Sequence, residues 1–406
     1  MAEIGNFWRR TDVSSKSFSF GGNSINFVNE NLIKYLDALS RAFDSDEEIK
    51  RTYTLKKYES LLLKHFRECF SEKCLAKKQD VSSFVKKLKA ESIKTFSVFR
   101  DIHGIVLNSP TSPLLLGGYT IYDFASQKEF FDSKIDSKTD SFPQIEFNDD
   151  TEYLIEWKAE ARHFEKALEI ADEHFERFEL ILRYVLGSAT NRFEVGVLNY
   201  QGLRHRKAYI LSDMGQVSRS STLHGPIEEP IPLDDPYLVN EDTGYHTVWG
   251  FTTKKNLNKF QKRIMLAVEW IGQSIADPSP QSAFIKAAIA LEIIFTYNER
   301  DIITPSIMNQ ISESIALILG SSVDERLKLE SSVKKLYGLR SKIVHSGHKN
   351  ISQADYKTLV EIARSVIIRI LTSDKLNSVD SVEELYTILK KFKYSGGGGK
   401  YVVRWW

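Results

Sequence analysis

The chain has 406 residues, 42% apolar and 27% charged, a balance that fits two or three folded domains and excludes a disordered chain. Its 55 basic and 54 acidic residues leave a formal charge of +1, which excludes a generally polycationic nucleic-acid coat, so any anion site must be local. Only two cysteines, Cys69 and Cys74, are present, too few for a disulfide framework or a four-cysteine zinc site.

No apolar run reaches the ~18 residues of a membrane helix, and no apolar stretch follows Arg9 and Arg10 as in a secretory leader. A soluble, cytoplasmic protein without membrane contact is expected. Residues 1–24 are polar, with a turn signal at Gly21, Gly22 and Asn23. Ile25 to about Ser97 reads as helical, with stripes at Leu32, Tyr35, Leu36, Leu39 and Phe43 and at Leu61, Leu62, His65, Phe66 and Cys69. Pro110, Pro113, Gly117, Gly118 and Pro143 then predict turns and short strands over 105–148. Residues 151–186 read as one long charged helix, and Phe193 to Val197 as a β-type run. Between Gly225 and Asp242 stand four prolines and six acids with no base, net −6, which predicts a loop or linker with little to bury. Tyr245 to Phe251 reads as a last strand. From Asn256 to about Ser373 the pattern is uniformly helical, about five helices. The expected fold class is α+β: a mixed α/β N-terminal region (1–224), an acidic Pro-rich linker and strand (225–255), an all-α helical bundle (256–373), and a C-terminal helix with a Gly-rich tail (374–406).

One segment carries chemistry. Leu329, Val333 and Leu336 define a buried helical stripe whose next positions are 340 and 343/344, so Arg340 stands where an apolar residue is expected. A guanidinium there is costly unless paired. Gly338, Ser341, Lys342 and His345 fall on another face, small near Gly338, and Ser346-Gly347 ends the helix. From Arg326 to Lys349 seven bases stand against one acid, Glu330, net +6. That is the electrostatic footprint of a polyanion partner, or else a solvated helix face.

RNA chemistry suits these residue types. A 2′-OH attacking its own phosphate needs a base near neutrality and a cation on the phosphorane. His345 can be the base or acid, Arg340 can hold the phosphate, and Ser341 can hydrogen-bond the phosphate or orient the histidine. Lys334, Lys335, Lys342 and Lys349 are the candidate RNA contacts; neither metal nor cofactor is expected. Five residues on an ideal helix turn about 140°, so two copies across a two-fold axis line one cleft better than a single helix does. Alternatively, Arg340 pairs with Glu292 or Glu313 inside the bundle and His345 caps the helix.

An Arg-x4-His at a bundle-helix end, in the wording Tyr337-Gly338-Leu339-Arg340-Ser341-Lys342-Ile343-Val344-His345-Ser346-Gly347, follows the apolar run Ala290 to Phe295 and a helix from Glu313 to Gly320. Residues 256–373 thereby resemble the HEPN superfamily, most of all the ApeA-like domains at the C-termini of bacterial anti-phage proteins; no resemblance extends to residues 1–255. It implies a HEPN-like bundle acting as a metal-independent endoribonuclease, a toxin-like effector of antiviral defence by abortive infection. It also implies a homodimer through the bundle, and an N-terminal region that senses a phage protein or restrains the nuclease. The alternative is a non-catalytic HEPN protein that binds RNA or a protein partner, or a dimerising adaptor.

Other candidates are read as structural. His163 and His174 lie eleven residues apart on one helix face, expected to be a solvated, salt-bridged surface rather than a metal site. His65 and Cys69 share an apolar stripe and are expected to pack in a core rather than bind zinc with Cys74. Arg204, His205, Arg206 and Lys207 form a solvated strand end or an RNA-guiding patch. A second Arg-x4-His, Arg219 to His224, is placed in a polar loop. The acidic segment could also lie over the basic helix as an electrostatic plug.

Overall fold

The computed structural model describes residues 15–20, 23–71, 78–109, 112–127, 152–187, 195–198, 204–211, 217–224, 230–297, 307–346 and 350–394. The fold is α+β. Two compact units divide the chain: Met1–Val98 with Lys158–Glu173, and Phe99–Trp157 with His174–Trp406.

The first unit opens with an antiparallel hairpin, β1 (Ser15–Phe20) and β2 (Asn23–Val28). Helices α1 (Asn29–Asp44), α2 (Glu47–Thr52), α3 (Leu55–Ser71) and α4 (Lys78–Ala90) follow. Leu39, Phe43, Ile49, Tyr53, Tyr58, Phe84 and Leu88 form its core. The expected helical span from Ile25 to Ser97 fails at both ends. Ile25 to Val28 belong to β2, and Lys94 onward to strand β3 (Lys94–Asp101). In both places apolar and polar residues alternate, as in Ser24-Ile25-Asn26-Phe27 and Thr95-Phe96-Ser97-Val98, the period of a strand.

Next along the chain come β4 (Ile105–Val106) and a sheet built by β5 (Leu114–Leu116), β6 (Tyr119–Asp123), β7 (Tyr153–Ala161) and β3, in the order β3-β7-β6-β5. Ile121 faces Ile155 across β6 and β7. Residues 151–186 are therefore not one helix: β7 comes first and helix α5 (Phe164–Leu186) second. From Ile155 to Arg162 every second residue is charged, and the high charge masks that two-residue period. Glu156, buried in the middle of β7, accepts a hydrogen bond from the Tyr122 hydroxyl at 2.6 Å.

Antiparallel β8 (Arg204–Leu211) and β9 (Val217–His224) form a hairpin, which puts Arg204 to Lys207 at the start of one strand. The second Arg-x4-His match lies on β9, not in a loop. The described part of the acidic segment is docked rather than a free linker. β10 (Ile231–Pro232) runs parallel to β4, and Leu233 and Leu238 are fully buried. Asp234 accepts hydrogen bonds from the Asn108 side chain at 3.0 Å and the Ser109 amide at 2.9 Å. Asp235 caps a 3-10 turn at Pro236–Val239. These two carboxylates accept local hydrogen bonds, whereas Glu228 and Glu229 lie outside the described residues.

Tyr245 to Phe251 is a helix, α6, and not a strand. Gly244 starts it at φ +70°, and Tyr245, Val248 and Trp249 recur at helical spacing on its buried face. Trp249 Nε1 donates to the Leu238 carbonyl at 2.9 Å. Among the described residues of 256–373 there are five helices: α7 (Lys259–Ala276), α8 (Pro280–Phe295), α9 (Ile307–Leu319), α10 (Val323–Ser346) and α11 (Gln353–Thr372). Helix α12 (Val382–Tyr394) follows, while the Gly-rich tail lies outside the described residues. Side-chain caps start five of these helices among the described residues: Asn258 in a capping box, Ser279 ahead of Pro280, Ser322, Ser352 and Ser381. At Gly272 of α7 a side chain would run into the Leu180 carbonyl, so only glycine lets α7 lie this close to α5. Arg364 of α11 donates to the carbonyls of Val185 and Gly187, capping the C-terminal end of α5.

Candidate active site

Helix α8 is apolar on most sides and buries Phe284, Ala287, Ala288, Leu291, Ile294 and Phe295, so it forms the inner wall for its neighbours. Helix α10 places Val333, Leu336, Tyr337 and Ile343 on the core. The Tyr337 hydroxyl donates to the Ala288 carbonyl at 3.1 Å, and burial holds its phenol well above the usual tyrosine range.

Arg340 occupies the expected stripe position and is half-buried. Its counter-ion is Glu292 of α8, one of the two acids expected for that role; Glu313 instead pairs with Lys393 at 2.5 Å. Arg340 Nη2 donates to Glu292 Oε2 at 3.3 Å. Nε lies 3.1 Å from Oε1 but is off-line for donation, so that contact is Coulombic, not a hydrogen bond. Burial raises the Glu292 carboxyl above its ordinary value, and the opposing pull of the Arg340 guanidinium is the smaller effect.

Beside this pair a cavity of about 540 Å³ opens to solvent. Glu292 comes from α8, Ile307 and Met308 from the start of α9, and Tyr337, Gly338, Arg340, Ser341, Lys342, His345 and Ser346 from α10. Arg340 and His345 thus border one cleft despite their angular separation on the helix. Ser341, Lys342 and His345 are exposed. A Cβ added at Gly338 would have no described atom within 4 Å.

The remaining lysines are placed differently. Lys334 pairs with Glu330 at 2.6 Å and Lys335 with Asp355 at 3.3 Å; neither borders the cleft. Arg326 donates to the Gly320 carbonyl at the end of α9. Lys349 lies outside the described residues. Within the cleft the cationic stripe therefore narrows to Arg340 and Lys342, with His345 beside them. The apolar rim of Ile307 and Met308 had no sequence signal, because it is set by where α9 begins in space.

His163 and His174 are half-buried rather than solvated. In the first unit His163 Nε2 lies 3.1 Å from Glu91. In the second, His174 stacks on Trp157 with ring centres 3.7 Å apart, and burial together with Arg177 pushes its pKa down to about 3. His65 stacks on Phe84 with Cys69 Sγ 3.7 Å from its Nε2, the core packing expected; Cys74 lies outside the described residues. Among the described residues no three His, Cys, Asp or Glu side chains converge as metal ligands, and no helix is long and apolar enough to cross a membrane. Comparison with protein-family models, with curated proteins and with solved structures gives no match for the chain.

Proposed function

We propose that the chain is a metal-independent endoribonuclease of the HEPN type, an antiviral effector whose N-terminal region senses a phage protein or restrains the nuclease. The observation that supports this reading most is the cleft where Arg340, Ser341, Lys342 and His345 meet on the last two turns of α10. His345 takes the proton of the RNA 2′-OH as O2′ attacks phosphorus. The P–O5′ bond then breaks, leaving a 2′,3′-cyclic phosphate and a 5′-OH once O5′ is protonated. Arg340 carries the charge that grows on the phosphorane, and Ser341 hydrogen-bonds a non-bridging oxygen. The acid for O5′ comes from His345 of a second copy, related by a two-fold axis through this face.

The test is cleavage of labelled single-stranded RNA by purified protein. His345→Ala is expected to lower the rate by about 10²–10⁴-fold with an unchanged melting temperature, because His345 is exposed. Arg340→Ala is expected to do the same, although it leaves Glu292 without its counter-ion and needs a folding control. Cleavage is expected to persist in EDTA and to yield cyclic phosphate ends. A rate that His345→Ala leaves unchanged would sink the reading.

Assembly gives a second expected result. A Cβ at Gly338 has no described atom within 4 Å, so the backbone there is open to a partner, and Gly338→Trp is expected to act on a partner surface. Loss of dimer in sedimentation, together with loss of cleavage at equal thermal stability, is the outcome expected. A monomer with full activity rejects the composite site.

One observation favours a non-catalytic HEPN protein that binds RNA or protein: Arg340 already has a carboxylate partner, Glu292, at the cleft. On that reading His345→Ala leaves RNA binding intact and there is no cleavage to lose.

A further inference from the structure

The carboxylate on Arg340 occupies the side chain that would hold a phosphate. A purely structural ion pair is normally sealed and fully hydrogen-bonded. This one is neither. Both side chains border the cavity, with 29% of Arg340 and 23% of Glu292 exposed. Among the described residues Arg340 makes a single hydrogen bond, at the long distance of 3.3 Å, and its buried Nε makes none. A guanidinium has five N–H donors in a fork that suits a phosphate better than an off-line carboxylate. Lys342, in the same cleft, has no carboxylate partner among the described residues. The cleft thus holds two cations and one internal anion.

We propose that Glu292 is a resident stand-in for the substrate, occupying the anion-binding face of Arg340 until an RNA phosphodiester displaces it. The cleft is then an exchange site. A single free carboxylate cannot outcompete Glu292, which is tethered at high effective concentration. A polynucleotide can, because neighbouring phosphates also engage Lys342. Displacement moves the carboxylate off its counter-ion, a step that burial resists, so the exchange sets a threshold against small anions. This inference rests on the reading of the cleft as an RNA site but not on RNA being cleaved there.

The two can be tested apart with an uncleavable probe, a fluorescent 2′-O-methyl RNA hexanucleotide, whose binding is followed by anisotropy. Glu292→Gln keeps the shape and removes the charge. The variant is expected to bind the probe about three- to tenfold more tightly, with a similar salt dependence, because the same phosphate contacts form in both proteins. Glu292→Asp draws the carboxylate back and is expected to tighten binding less, in the same direction; it preserves the test if Glu292→Gln fails to fold. Inorganic phosphate, added as competitor, is expected to displace the probe from Glu292→Gln at lower concentration than from the wild type. Unchanged or weaker binding in both variants overturns the proposal, because it makes Glu292 a support for Arg340 rather than its competitor. If RNA is cleaved in a His345-dependent way while the Glu292 variants bind no tighter, the stand-in fails and the nuclease reading stands. If the variants bind tighter and nothing is cleaved, the reverse holds.

Discussion

Replacing Arg162 with alanine is expected to lower the stability of the first unit by ~3–5 kcal/mol, a large share of what an ordinary domain has. Only 2% of the Arg162 side chain is exposed. Its Nε donates to the Glu91 carbonyl at 2.8 Å, and Nη2 donates to Glu48 Oε1 at 2.7 Å and to the Lys89 carbonyl at 2.9 Å. Nη1 donates to the Thr52 hydroxyl. The guanidinium also lies over the Tyr53 ring, 5.7 Å from its centre. One side chain therefore satisfies the open carbonyls at the end of α4 and fixes the end of α2 beside them. Truncation removes all four of these hydrogen bonds at once and leaves the buried Thr52 hydroxyl without its donor, which costs more than that contact itself. Arg41, exposed and paired with Asp37 on the surface of α1, is the control, and Arg41→Ala is expected to have little effect. Urea denaturation of the full chain, followed by far-UV circular dichroism, separates the two. Similar midpoints for both variants would show that Arg162 does not hold the unit.

Acid is expected to weaken the second unit through His174. The folded protein keeps this imidazole neutral down to about pH 3, whereas an unfolded histidine takes up its proton near pH ~6.5. Below that pH the unfolded chain binds a proton that the folded chain refuses. His174 thus costs no stability above pH ~6.5, and stability falls as pH drops, by ~1.4 kcal/mol per unit and up to ~5 kcal/mol across the window. His174→Phe keeps a ring against Trp157 and removes the titrating group, so its stability should vary less between pH 6.5 and 5 than that of the wild type. Carboxylates with lowered pKa, such as Asp277, contribute equally to both proteins and cancel in the difference. Parallel curves in urea denaturation at pH 7.5, 6.0 and 5.0 would rule out the effect.

Residue spacing reveals the bundle because its helices are amphipathic or wholly apolar and are punctuated by Asp277-Pro278 and Gly320-Ser321. It also placed Arg340 on the core stripe and left Glu292 as one of two partners, since only distance in space could choose between Glu292 and Glu313. Elsewhere, charge obscured geometry. In β7 the residues Glu156, Lys158 and Glu160 alternate with Ile155, Trp157 and Ala159, yet their density resembles a solvated helix. His174 looks like a surface residue for the same reason, being flanked by Glu173 and Glu176 on a helix whose other side meets Trp157. The prolines and acids of the segment before Tyr245 hid Leu233 and Leu238, two buried anchors too widely spaced to form a stripe. The lysines of α10 read as one basic surface, but side-chain reach assigned Lys334 and Lys335 to Glu330 and Asp355.

The first unit is assembled from two separated stretches of chain, and this has a consequence for its birth on the ribosome. Glu48, Thr52 and Lys89 emerge early, but Arg162, the donor they share, emerges only after the whole stretch from Phe99 to Trp157 has been made. Synthesis delivers a chain from its N-terminus at about 5–20 residues per second, so the early helices wait for seconds with unpaired carbonyls and an incomplete core. During that interval they are open to chaperones and proteases. Ribosome-stalled chains ending before and after Arg162 should differ sharply in protease resistance of the α1–α4 region.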